Sequence, residues 1–313
     1  MTVSRALKNP DLVSKELRER IERIVRKSGY VPHHGARTLA SAKSKLIGVL
    51  VPSFSNELFV DVLAGIRASL QPHGYQMMIG DTLYSPEKEE ELFRAYLEHM
   101  PDGFLMTGFE NKTLTATYSS SVNGIPIVHM MDLNSRRMSV GFSQEEAGHA
   151  MGRHLIERGY RHLTYLGTQL DQRVLKRREG FRRAVREAGG LHRYNEVLTT
   201  EPSSVGMGAQ LLARALDQSP KADAIFACND DLAVGALFEC QRRGLGVPAD
   251  LAIAGFNDLA ICASTVPTIT SITTPRYQIG FQAAQLLLDV MNKRDPSRRR
   301  IDLGFQLTVR QST

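Results

Sequence analysis

The sequence predicts an α/β fold: parallel sheets divided between two lobes, with a short basic helical segment in front. Three observations lead there. Short apolar runs such as Leu46 to Val51, closed by Pro52 and Ser53, read as strands buried on both faces, and amphipathic stretches alternate with them. A length of 313 residues with 42% hydrophobic residues is enough for about two or three domains at roughly 100 to 200 residues each. Charge is segregated: residues 1 to 45 hold eleven Lys and Arg against four acids, a net of +7, which leaves −1 for everything after them.

In order, Thr2 to Leu7 has helical spacing, ended by Asn9-Pro10 because proline disfavours helix in the residue before it. A second helix starts at Ser14, with Glu16 in its first turn and Leu17, Ile21, Ile24 and Val25 as an apolar stripe down to Gly29. The body then reads as strand Ile47 to Val51, helix Glu57 to Gln71, strand Tyr75 to Ile79, helix Pro86 to His99, and strands Gly103 to Met106 and Ile127 to Met130. A second series follows: strand His162 to Leu166, helix Lys176 to Ala188, strand Ala224 to Ala227, helix Leu232 to Arg242 and strand Ala252 to Phe256.

Composition narrows the function classes. No apolar run approaches the ~18 residues that cross a bilayer, and the N-terminus has no signal-peptide core, so a cytoplasmic chain without a membrane partner is expected. Cys228, Cys240 and Cys262 have neither metal-ligand nor disulfide spacing and are expected to be packing residues. An α/β enzyme would need a nucleophile with its base or a cofactor fingerprint. The glycine-rich dinucleotide and phosphate signatures and the Gly-x-Ser-x-Gly elbow are all absent, so no catalytic residue, cofactor or metal is assigned. A basic segment on a near-neutral body fits a polyanion partner, although a solvated basic helix has the same composition.

Thr2-Val-Ser-Arg5, Asn9-Pro10 and Gly29-Tyr30-x-Pro32 together resemble the LacI/GalR family of bacterial transcription repressors. The likeness extends along the whole chain but begins within the family's helix-turn-helix head, whose first helix has no counterpart before Met1. The C-terminal Leu307-Thr-Val-Arg-Gln-Ser-Thr313 resembles the family's usual ending. The resemblance implies a partial DNA-binding head over 1–32, a hinge helix and linker over 33–45, and a two-lobed, periplasmic-binding-protein-like effector domain with three crossovers. Its N-terminal lobe is expected over 46–160 plus 271–292, and its C-terminal lobe over 161–270 plus 293–313. Arg5 is the implied base reader, with Thr2 and Ser4 on bases or phosphates, Tyr30 and Arg37 supporting, and Leu39 as a minor-groove wedge, unless Leu39 only packs in the linker.

Ligands of parallel sheets sit outside the carboxyl ends of the strands. That rule selects Ser53, Phe54, Ser55, Asn56 and Phe59 after the first strand, Asp81 after the second, Thr107 after the third and Met131 after the fourth. In the second lobe it selects Asn229 and Asp230, then Asn257 and Asp258; all four stand at effector-contacting positions of the family, with Asn257 where Asp is usual. Asn229 and Asp230 are equally good helix caps. Leu170 to Phe181 carries Arg173, Lys176 and Arg177, the last at the family's basic effector position. Cations at a helix start oppose the dipole, and Arg forks grip carboxylates, so an acidic ligand is expected; a solvated basic face is the alternative. Ser143-Gln144 departs from the family's Asp-Asn, leaving Glu146 or Gln144 for that ligand position.

Leu170-Asp-Gln-Arg173, Cys228 to Ala236, Phe238 to Arg242 and Asp302-Leu-Gly-Phe305 are most similar, within the family, to repressors of gluconate utilisation. The expected function is therefore a homodimeric, ligand-responsive regulator that binds double-stranded operator DNA and senses a sugar acid such as gluconate or ketogluconate. Ligand would shift the population of lobe orientations and with it the hinge spacing. The alternative is a two-lobed neutral-sugar-binding protein without DNA binding.

Overall fold

In a computed structural model of the chain, the described residues are 13–28, 43–108, 121–122, 124–296 and 298–313. Two compact units divide it, Met1–Ser44 and Lys45–Thr313. In the first, helix α1 spans Lys15–Ser28, with Glu16 in its first turn and Arg26 and Lys27 in its last, each matched to the helix dipole. Of the apolar stripe, Ile21 is buried, while Ile24 is 57% exposed.

The second unit holds two sheets. The first contains β1 (Leu46–Val51), β2 (Gln76–Asp81), β3 (Gly103–Thr107), β5 (Ile125–Met130), β6 (Ser139–Gly141) and β12 (Arg300–Asp302), in the order β12-β6-β5-β3-β1-β2 and parallel throughout. A short β4 (Ser121–Val122) pairs antiparallel with β5. The second sheet contains β7 (His162–Gly167), β8 (Arg193–Leu198), β9 (Ala224–Ala227), β10 (Ala252–Asn257), β11 (Thr270–Thr273) and β13 (Gln306–Thr308), in the order β13-β11-β10-β9-β7-β8, with only β13 antiparallel.

Helices cover both sheets: α2 (Leu58–Leu70), α3 (Pro86–Leu97), α4 (Gln144–Glu157), α5 (Gln172–Ala188), α6 (Val205–Gln218), α7 (Asp230–Arg243) and α8 (Arg276–Met291). Pairs of them approach closely through facing glycines. A Cβ on Gly65 would lie 2.1 Å from Tyr277 O, and one on Gly280 would lie 2.0 Å from Val62 O, so α2 and α8 meet backbone to backbone. Gly148 and Gly180 do the same for α4 and α5, at 2.1 Å from Arg177 O and 1.9 Å from Glu145 O.

The chain crosses between lobes three times, as expected, but not where expected. Helix α4 falls inside the span 46–160 expected for the first lobe, yet it packs on α5 of the second, so the first crossing falls before Gln144 rather than near Arg161. Ser271 was placed in the first lobe, but it lies in β11 beside β10; the chain returns only with α8. Residues 300–302, expected in the second lobe, form β12 beside β6 of the first. Three-residue strands carry too little periodicity to be told from loop. The second-lobe core is aromatic: Phe226 meets Phe181 at 5.1 Å and Tyr165 at 5.4 Å, edge to face.

Candidate functional site

Because both sheets are parallel at the centre, their strands end on a common crevice. A cavity of about 240 Å³ opens there. The first lobe lines it with Pro52, Ser53, Ser55 and Asn56 after β1 and with Leu83 and Tyr84 after β2. From the second lobe come Gln169 after β7, Pro202 and Ser203 after β8, and Asp231 of α7.

Short polar side chains fix the loops. Asn56 Oδ1 accepts from the Leu58 amide at 3.0 Å, and its Nδ2 donates to Tyr84 Oη at 3.4 Å. Asp81 accepts from the amides of Phe54 and Leu83 at 3.2 and 3.0 Å, tying the two first-lobe loops together. The backbone is strained at these strand ends: Leu83 and Tyr84 have φ of 51° and 57°, Gln169 and Leu170 60° and 51°, Asn257 and Asp258 108° and 56°, and Met131 73°. None is glycine, so each costs on the order of 1 kcal/mol or more that packing must offset.

A buried hydrogen-bonded relay joins strand ends of the two lobes. Gln144 Nε2 donates to Met131 O at 2.7 Å, and Gln144 Oε1 accepts from Arg177 Nε at 2.7 Å. Arg177 Nη1 donates to Cys228 O at 2.7 Å, and its guanidinium lies 3.7 Å over the Phe256 ring. Strand ends from both lobes are thus joined through one buried cation whose hydrogen-bond acceptors are neutral; Nη2 makes no hydrogen bond to the described residues. Burial draws the Arg177 guanidinium below its ordinary value, against Tyr165 and Asp171, which favour its charge.

Asp171 caps α5, accepting from the Arg173 and Val174 amides at 2.8 and 3.0 Å, and pairs with the Arg173 guanidinium at 2.8 Å. Burial alone would raise its carboxyl, but Arg173 and Arg177 hold it below the usual value. Lys176 reaches across the crevice to ion-pair with Asp132, which follows β5.

Of the expected effector residues, Ser53, Ser55 and Asn56 line the cavity. Thr107 and Arg173 line a smaller hollow beside it with Tyr84 and Glu89. Asn229 does both things asked of it: Oδ1 caps the Leu232 amide at 3.1 Å, and Nδ2 donates to Ser203 of the cavity wall at 2.8 Å. Phe54 is exposed beside the crevice and Asp81 holds its loops.

Other expected residues lie elsewhere. Phe59 is a core residue, 1% exposed. Glu146 ion-pairs with Arg183 at 2.7 Å on the outer face of α4 and α5. Asp230 is sealed inside, accepting from the Leu259 amide at 2.8 Å and Ser271 Oγ at 2.7 Å. Asp258 binds Thr273 Oγ1 and Arg310, both at 2.7 Å. Asn257 is buried, with its Oδ1 unpartnered among the described residues. Met131 is buried and offers its carbonyl to Gln144. Thr2, Ser4, Arg5, Tyr30, Arg37 and Leu39 lie outside the described residues.

Leu83, Tyr84, Gln169, Pro202, Ser203 and Asp231 were not expected in the wall. Extending the strand-end rule to the ends of β7 and β8 would have reached Gln169 and Ser203; β8 itself was not recognised.

Two parallel-sheet lobes about a polar crevice define a ligand-sensing domain of the periplasmic-binding type. The comparisons agree: residues 153–313 match a periplasmic binding protein-like domain, and residues 1–33 match the bacterial regulatory proteins, lacI family. Over all of this chain and 92% of the other, it is 47% identical to the HTH-type transcriptional regulator GntR of Pseudomonas aeruginosa. The crystal structure of transcription regulator GntR from Chromobacterium violaceum superposes with a TM-score of 0.80 at 47% identity, covering 85% of this chain and 98% of that one. A LacI-family transcriptional regulator from Silicibacter pomeroyi gives 0.92 at 30% identity, covering 100% and 95%. The chain belongs to the LacI family of DNA-binding transcriptional regulators. Among the described residues no helix is long and apolar enough to cross a membrane.

Proposed function

We propose that this regulator, working in the cytoplasm as a homodimer on operator DNA, senses a polyhydroxy acid in its interlobe crevice. Arg177 carries the reading. A cation buried between two strand ends, with only neutral acceptors, is costly unless an anion comes to it. Hydroxyls and amides of Ser53, Ser55, Asn56, Gln169 and Ser203 suit a polyol chain, and Arg177, with Nε and Nη1 already bonded, would offer Nη2 to its carboxylate. The sequence likeness to gluconate-utilisation repressors points the same way. Of the DNA-contact residues, Thr2, Ser4, Arg5, Tyr30 and Arg37 would read or hold the duplex and Leu39 would kink it.

One observation favours a neutral polyol instead. The wall of the 240 Å³ cavity includes the Asp231 carboxylate and no cation. Burial raises the Asp231 carboxyl, with Glu57 adding to the effect.

Thermal shift separates the two readings. Gluconate or 2-ketogluconate at about 100 times its dissociation constant adds roughly 2.7 kcal/mol and raises the midpoint by several degrees, while glucose leaves it unchanged. Stabilisation by glucose and not by the acids would establish the neutral reading.

A further inference from the structure

We propose that the basic flank of the first lobe is a second DNA-contacting surface, which holds backbone phosphates beyond the bases that the head reads. It rests on DNA binding by the chain but not on the identity of the effector.

Lys293, Arg294, Arg298, Arg299 and Arg300 are exposed, with Asp295 the sole acid from 293 to 300, and Arg136 is exposed in the turn before β6. Their placement follows from the parallel sheet. Helix α8 ends at Met291, whose Sδ lies 3.1 Å from where a Cβ on Gly103 would stand. Gly103 opens β3, and the Asp102 amide donates to Leu46 O at 2.8 Å. Lys293 and Arg294 therefore emerge at the edge where strands begin, on the side away from the crevice. They stand one strand from Leu46, where the sheet takes up the chain coming from the head segment. Arg299 O accepts from the Ser139 amide at 2.9 Å, which sets the rest of the run beside the start of β6.

Density of charge is what distinguishes this flank: five cations against one acid in the eight residues from 293 to 300. Several arginines elsewhere on the body are closely paired: Arg183 with Glu145 and Glu146 at 2.7 Å, Arg243 with Glu239 at 2.6 Å, Arg94 with Glu90 at 2.7 Å. On the flank Arg294 meets Asp289 only at 3.5 Å and Arg299 meets Asp295 at 3.6 Å, with these arginines 75% and 69% exposed. Lys293, Arg298, Arg300 and Arg136 have no ion pair among the described residues. A body of net charge near zero has kept a cationic strip at the edge where its strands begin, one strand from the Leu46 at which the sheet starts, as phosphate contacts require.

The test uses the full chain and a labelled random-sequence duplex of about 40 base pairs, titrated by anisotropy between roughly 50 and 200 mM salt. Replacing Lys293, Arg294 and Arg298 together by Gln should reduce the slope of log affinity against log salt by about 2 to 3 and weaken low-salt binding roughly tenfold or more. The thermal midpoint should not move. A control, Arg242→Gln with Arg243→Gln, should leave the slope intact. An unchanged slope in the triple variant, or an equal loss in the control, overturns the proposal; the former leaves the strip to an acidic protein surface. No binding by the parent chain overturns it together with DNA binding itself.

Discussion

The first lobe faces the crevice with small groups that are lightly engaged, whereas the second faces it with groups already committed. Ser53 and Ser55 bond mainly to one another, at 2.9 Å. Arg177, Asn229 and Asp171, by contrast, each satisfy two or more partners before any ligand arrives. The second lobe is therefore preorganised, its groups doing structural and binding work at once, while the first lobe's groups are free to turn to a ligand as the lobes close. Substitutions in the second lobe should change stability and affinity together; those in the first should change affinity alone.

The largest effect belongs to Arg177→Ala. It takes the donor from Cys228 O and Gln144 Oε1, at a cost of roughly 2 to 4 kcal/mol, and removes the cation proposed to meet the ligand. Calorimetry should show affinity for an acid ligand falling more than about a hundredfold, with a lower unfolding midpoint. Arg177→Lys, which keeps charge but not fork geometry, should recover only part of both. Undiminished affinity in the Ala variant would remove Arg177 from the ligand's path.

Asp230 extends the contrast into the second lobe's interior. Burial pushes its carboxyl up to about 6 from 3.8, against the bonds from Leu259 and Ser271. Gly255 makes room for it: a Cβ there would lie 2.3 Å from Asp230 Oδ1. A carboxyl raised in the fold is favoured protonated, so its contribution is present below about pH 4 and lost as pH rises through about 6. The loss totals roughly 3 kcal/mol. Asp230→Asn cannot titrate. The stability of the parent minus that of the variant should fall by that amount between about pH 4 and 7, read from denaturant unfolding at each pH.

Much of this was legible in the sequence, for identifiable reasons. Apolar runs such as Leu46–Val51 can be buried strands and little else, so the sheets and most helices could be read directly. Ser53, Ser55 and Asn56 followed from the strand-end rule. What failed depended on partners distant in sequence. Phe59 has the spacing of a rim residue, but α2 turns it into the core; Glu146 stands near a ligand position, but Arg183 takes it. β8 (RYNEVL) mixes charge and apolar residues without strict alternation, so the loop bearing Ser203 went unnoticed.

The smallest effects test the asymmetry most directly, because they compare one hydroxyl on each wall. Ser53 donates to or accepts from Ser55 only, so Ser53→Ala leaves no buried group stranded. Ser203 accepts the Asn229 amide at 2.8 Å, so Ser203→Ala strands a nitrogen on a residue that also caps α7. Both variants should bind the ligand about 3 to 10 times more weakly, the usual value of one hydrogen bond. Only Ser203→Ala should also unfold earlier, by roughly 2 to 4 °C per kcal/mol in a domain of this size. Equal midpoints with equal affinity losses would mean that both walls are equally unencumbered, and the division of labour between the lobes would have to be given up.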